Sequence, residues 1–170
     1  FVATCEAQPM TPSGQQRLAF NLRNAASDWG VKGVFVLVGM SAPPGDSSVL
    51  TLGPSRLDRE WLKDLGTSPS ERWPEAGMVG MAAWMATLGE YDGVPTACLV
   101  AASVGSTVDV PSSRRLHAHL ESVIDRTLPI ENEIHLSLAE RVSKLIAAIG
   151  GVDEPLENNE NKAAPIEFYQ

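Results

Sequence analysis

Two runs, "GVFVLVGM" at 33–40 and "VPTACLVAAS" at 94–103, are apolar without alternation. A strand that meets water on one face alternates apolar and polar residues with a period of two, and these do not. Each therefore reads as a strand covered by helices on both faces, which points to a parallel arrangement in an α/β fold. A third run, "FVATCEA" at 1–7, reads the same way, and "VLTLG" at 49–53 as a short strand.

The segments between these runs carry helical signals. Thr11-Pro12 places an N-cap before a proline in the first turn, and Leu18, Leu22, Ala25, Ala26 and Trp29 follow at helical spacing, with Gly30 as the stop. "SRLDREWLKDLG" is expected to be a short helix capped by Ser55, and "GMVGMAAWMATLG" an apolar helix opened by glycines. "PSSRRLHAHLESVIDRTLP" groups Leu116, Leu120, Val123 and Ile124 on one face. A last helix is expected over "LSLAERVSKLIAAIGG", with Ser137 and Glu140 as a capping box. Strands alternating with helices predict a layered α/β/α sandwich with a mainly parallel sheet. The division is a domain over 1–151, a polar linker over 152–165 and an apolar tip over 166–170. An interior strand at Phe1 carries the expectation of an upstream portion.

Of 170 residues, 44% are hydrophobic and 20% charged, with a formal net charge of −8. That balance suits a buried core. It disfavours nucleic acid and anionic membrane surfaces, both of which call for basic patches. No apolar stretch reaches the ~20 residues that span a bilayer. The expectation is a soluble, cytoplasmic protein. Cys5 and Cys98 sit in apolar runs and read as buried thiols.

Open α/β sheets bind ligands at the carboxyl ends of their strands. Neither G-x-G-x-x-G nor a Walker loop is present, and no G-x-S-x-G elbow. Gly77 and Gly80, three apart at a helix mouth, suit either a phosphate cradle or close helix–sheet packing. Ser103 stands just past a strand, where a nucleophile would sit, but needs a base. His117 and His119 are two apart and point to different faces, His135 lies near a helix start, and no i, i+4 pair offers a metal site. These histidines read as solvent-facing. Asp58, Glu60, Asp64, Glu71, Glu75, Glu90 and Asp92 read as solvation of helix faces and loops. Trp29, Trp61, Trp73 and Trp84 read as core or interface anchors. The residues suggest no catalytic site, no metal and no cofactor.

Three stretches carry a resemblance: "AQPMTPSGQQRLAFNLRNAASDWGVKGVFVLVGM", "PEAGMVGMAAWMATLGEYDGVPTACLVAA" and "VDVPSSRRLHAHLESVIDRTLPIE". Together they are similar to the proteasome assembly chaperone family of archaeal and actinobacterial type, over about residues 1–150. The pattern is a strand ending at proline, a Gln-bearing helix leading into G-V-K and a strand, a glycine-opened helix, G-V-P and a buried strand. The loop "GMSAPPGDSSVLTLGPSRLDREW" departs from that pattern. The resemblance implies a phosphorylase-like sandwich without phosphorylase catalytic residues, and a strand–helix portion upstream of Phe1. It implies an ATP-independent chaperone or activator that forms a homo-oligomer and binds proteasome α subunits or the α ring.

The chain ends Phe168-Tyr169-Gln170. This resembles the hydrophobic–Tyr–any-residue tails of that family and of proteasome activators, whose terminal carboxylate meets a lysine of the ring. Two other readings stay open: a small hydrolase or nucleoside-type transferase with its site near Ser103 or Gly77–Gly80, and an oligomeric scaffold for another partner.

Overall fold

The computed structural model describes residues 1–4, 8–43, 45–74, 77–103 and 109–129. In chain order these form α1 (Pro12–Asp28), β1 (Val34–Ser41), β2 (Val49–Leu52), α2 (Arg56–Asp64), α3 (Gly80–Asp92), β3 (Thr96–Ser103) and α4 (Val110–Ile124). The expected helix over 137–149, its Ser137–Glu140 cap, His135 and Cys5 lie outside the described residues.

The caps are those the sequence specifies. The Thr11 hydroxyl accepts the Gly14 N–H at 3.1 Å, and Pro12 follows where its missing N–H costs nothing. Ser55 and Asp58 form a reciprocal capping box: the Asp58 N–H donates to Ser55 Oγ at 3.2 Å, and the Ser55 N–H to Asp58 Oδ2 at 2.7 Å.

The sheet runs in the order β1-β3-β2. β1 is parallel to β3 over eight residue pairs, from Val34–Thr96 to Ser41–Ser103. β2 is antiparallel to β3, from Val49–Ala101 to Leu52–Cys98. The described sheet is therefore mixed. β2 follows β1 after a loop containing Pro43 and Gly45, and so returns along the sheet in the opposite sense.

β3 is the core. Residues 96–102 are all buried, because β3 has a strand on each side and helices on each face. On one face Leu52, Cys98 and Val100 meet Ala86 of α3, joined by Val36, Val38, Met40 and Leu50. On the other, Ala97 and Leu99 meet Leu62 of α2 and Val123 of α4, joined by Phe35, Trp61, Leu116 and Leu120. α1 packs against α3. This is the expected α/β/α sandwich.

Several local expectations differ. Phe1–Thr4 is not in a strand, and Phe1 and Val2 are 94% and 91% exposed. Among the described residues β1 is not covered on both faces. As the outer strand it buries Val36, Val38 and Met40 only partly and leaves Leu37 51% exposed. Asp58 and Asp92 are not solvating residues: Asp58 is fully buried and Asp92 is paired. His119 does not face solvent, as shown below.

Candidate functional site

At the carboxyl ends of β1 and β3, described residues of the chain itself cap the starts of α3 and α4. At the start of α3, Gly77 and Gly80 adopt φ of +69° and +70°. The Gln8 side-chain oxygen accepts the Met81 N–H at 3.0 Å. A Cβ on Gly80 would stand 2.6 Å from that oxygen, so the glycine admits a cap from the chain itself. At this helix mouth the structure shows a close approach by Gln8.

At the start of α4, Asp109 accepts the Ser112 N–H at 2.9 Å. The Ser112 hydroxyl lies 2.6 Å from Asp109 Oδ2 and 2.7 Å from the Ala102 carbonyl oxygen. Arg115 donates to the Ala102 carbonyl at 2.9 Å and to Ser112 Oγ at 2.7 Å. A carboxylate as N-cap disfavours an anion at that mouth. Ser103, half-buried at the end of β3, has a carbonyl that accepts the Ala42 N–H at 3.0 Å.

The described histidines are engaged elsewhere. His119 is half-buried, with Nε2 2.6 Å from the hydroxyl of buried Thr51, and burial holds its pKa below the ordinary 6.5. His117 Nδ1 lies 3.6 Å from Glu121 one turn along α4. Among the described residues no cluster of three His, Cys, Asp or Glu is placed to hold a metal. Burial, with the nearby Asp58 charge, pushes the Cys98 thiol to about 12, far from a reactive thiolate. The surface depressions are shallow. One is lined by Ser13, Gln16, Arg17, Phe20 and Asn21 on a single helix.

The most developed polar cluster lies at the other end of β3. Arg23 of α1, 1% exposed, donates through Nε to Asp92 Oδ2 at 2.6 Å and through a terminal nitrogen to Asp92 Oδ1. It also donates to the Thr96 hydroxyl and, at 2.6 Å, to the Val94 carbonyl. Asp58 Oδ1 accepts the Thr96 N–H at 2.6 Å. Every polar group here has a partner, which marks a structural clamp. Sequence reading missed it because Arg23 and Asp92 are 69 positions apart. The available signal was an Arg on the apolar side of α1.

Exposed apolar side chains mark the surface. Phe1 stacks on Trp29 with ring centroids 4.8 Å apart, and Phe20 meets Tyr91 edge to face at 6.1 Å. Trp61 is a core residue against Phe35, whereas Trp29 and Trp73 are exposed. Phe168, Tyr169 and Gln170 lie outside the described residues.

The model of the PAC2 family matches residues 2–149. The chain belongs to the PAC2 family. Solved structures agree in fold with this PAC2 chain. An archaeal proteasome activator from Pyrococcus furiosus, PbaB, superposes with a TM-score of 0.64 at 20% identity, over 88% of this chain and 63% of its own. PbaA from the same organism, an archaeal homolog of proteasome-assembly chaperone, gives 0.63 at 16% identity, over 84% and 63%. A PAC2 family protein from Streptomyces avermitilis gives 0.54 at 18%, over 85% and 59%. The chain thus spans about three fifths of the length of these relatives. No curated protein matches it at a significant level.

Proposed function

We propose that this PAC2 chain is an ATP-independent assembly chaperone or activator that binds proteasome α subunits or the assembled α ring. The observation that carries the reading is the family match over residues 2–149, joined to fold neighbours described as a proteasome activator and a proteasome-assembly chaperone homolog. The described surface supports a non-enzymatic role: both helix mouths are capped internally, and His117 and His119 are engaged with Glu121 and Thr51.

In this reading residues 1–151 form the platform, 152–165 a polar linker and 166–170 a docking tail. Ile166, Phe168, Tyr169 and the Gln170 carboxylate are the anchor. The roughly 20 residues from Gly150 to Gln170 have an end-to-end distance of roughly 25 Å and stretch to about 65 Å. Burying Phe168 and Tyr169 would contribute about 1.5–3 kcal/mol each, much of it offset by ordering the tail. One tail therefore binds weakly, and several tails on a homo-oligomer would raise the effective affinity by ~10²–10⁴. Exposed Trp29 and Trp73 suit interface anchors for that oligomer. The protein acts in the cytoplasm without metal or nucleotide.

The test is size-exclusion chromatography of the purified chain mixed with proteasome α subunits. Co-elution is expected, and separate elution at tens of micromolar contradicts the proposal.

A further inference from the structure

Asp92-Gly93 is the one step in the 170 residues at which an aspartate or asparagine precedes a glycine. Such a step is chemically labile. The backbone nitrogen of the glycine attacks the side-chain carboxyl carbon of the aspartate, and the absence of a Cβ leaves the approach open. An N–C bond forms, one carboxyl C–O bond breaks, and a water leaves as the five-membered succinimide closes. A water then reopens the ring. Opening at the main-chain carbonyl gives isoaspartate: the backbone now runs through the former side chain, longer by one methylene, and the former main-chain carbonyl carbon carries the free carboxylate.

The folded chain restrains both reacting groups. The Gly93 N–H, the attacking group, donates to the Gly89 carbonyl at 3.1 Å as the left-handed cap of α3. Asp92 Oδ2 accepts from Arg23 Nε at 2.6 Å, and Oδ1 accepts from a terminal nitrogen of Arg23 and, at 3.0 Å, from the Val94 N–H. Burial favours the protonated carboxyl, whose hydroxyl is the better leaving group. The Arg23 and Val94 hydrogen bonds outweigh burial and keep Asp92 ionised. Arg23 thus holds both oxygens, one of which has to leave for the ring to close.

The step is placed to react once that hold is lost. Tyr91 and Gly93 are exposed on either side of half-buried Asp92, so water reaches it, and helix ends open more easily than core strands. Refolding does not undo the product. Only residues 93–95 separate α3 from β3, the most buried strand, and Arg23 also holds the Val94 carbonyl and the Thr96 hydroxyl there. One extra methylene in so short a link moves the carboxylate off Arg23 and loosens the entry to β3.

We propose that Asp92-Gly93 is a backbone-isomerisation site guarded by Arg23: when the clamp opens locally, the Gly93 nitrogen closes on Asp92 and the chain reopens as isoaspartate. The product presents a carboxylate of the class that isoaspartyl methyltransferases esterify. This inference is independent of the proteasome reading.

The test counts isoaspartate at position 92 after prolonged incubation of the full chain in neutral buffer, with a protease that cuts before aspartate and not before isoaspartate. Native wild type should form it at least about tenfold more slowly than the denatured chain. Arg23→Lys keeps the charge and loses the two-pronged fork. Folded by near-ultraviolet circular dichroism, it should form isoaspartate at least about tenfold faster than native wild type. Gly33→Ala, which crowds Trp61 away from the clamp, controls for general loss of stability and should stay within about twofold of wild type. If Arg23→Lys does not fold, wild type in urea below its unfolding transition decides: local opening predicts a nearly flat rate, and a rate that climbs with the unfolded fraction overturns the proposal. It is also overturned if the denatured chain forms no isoaspartate at position 92, if folded Arg23→Lys matches wild type, or if Gly33→Ala accelerates as much as Arg23→Lys.

Discussion

Arg23 of α1 and Asp92 at the end of α3 form a two-pronged ion pair in which the arginine is almost completely buried. A planar guanidinium meeting both carboxylate oxygens is the strong form of such a pair. Burial alone would raise the Asp92 pKa. The Arg23 hydrogen bonds, helped by the Val94 N–H, more than reverse this and hold it below 3.8. Removing either partner leaves the other without its counter-charge. Asp92→Ala or Arg23→Ala should each cost about 3–5 kcal/mol in urea unfolding. The pair's contribution is present above pH 3.8 and is lost as pH falls through the depressed Asp92 value.

Gly33 precedes β1 with its Cα against Trp61, and a Cβ there would stand 2.2 Å from the ring. Gly33→Ala should therefore cost roughly 1–3 kcal/mol through overpacking. At Gly39 the nearest atom to such a Cβ is 3.8 Å away, and Gly39→Ala should change stability by no more than about 0.5 kcal/mol. Thermal melting of the two variants side by side checks this.

Burial lowers the His119 pKa, so the unfolded chain binds its proton more tightly than the folded one. The sign follows: folding stability holds above pH 6.5 and declines as pH falls below it. His119→Gln keeps a partner for Thr51 and removes the titration. Its unfolding free energy should vary less between pH 7 and pH 5 than that of the wild type.

Cys98, with no exposed surface and a thiol pushed to about 12, should be inert in the folded state. In a Cys5→Ser background, an aromatic disulfide reagent should label Cys98 only at the rate of unfolding. Fast labelling in native buffer would show an open core.

The layers of this fold were legible because unalternating apolar strands and capped helices are local signals. Thr11 and Ser55 mark helix starts in the sequence as they do in three dimensions. What the sequence hid depends on distant partners. "FVATCEA" has a strand's composition, yet strands exist only with a neighbour, and Phe1–Thr4 has none in the described sheet. "GVFVLVGM" looks fully interior, and only its place at the sheet edge exposes Leu37. His119 looked solvent-facing until β2 brought Thr51 to it. At the strand ends, the cap on α3 comes from Gln8, 72 positions upstream of Gly80, which no local pattern announces.

The central claim, that this PAC2 chain engages the proteasome through its tip, is tested most directly by its affinity for a purified α ring at fixed salt. Three proteins are compared: the wild type, Tyr169→Ala, and a chain extended by one residue past Gln170. The account predicts binding by the wild type and a loss of at least about tenfold in both variants, since one loses the ring and the other displaces the carboxylate from its cationic partner. A change at Asn159 or Glu160 should leave affinity unaltered. Equal affinity for all three proteins would contradict the docking role of the tail, and no binding by any of them would contradict the proteasome reading itself.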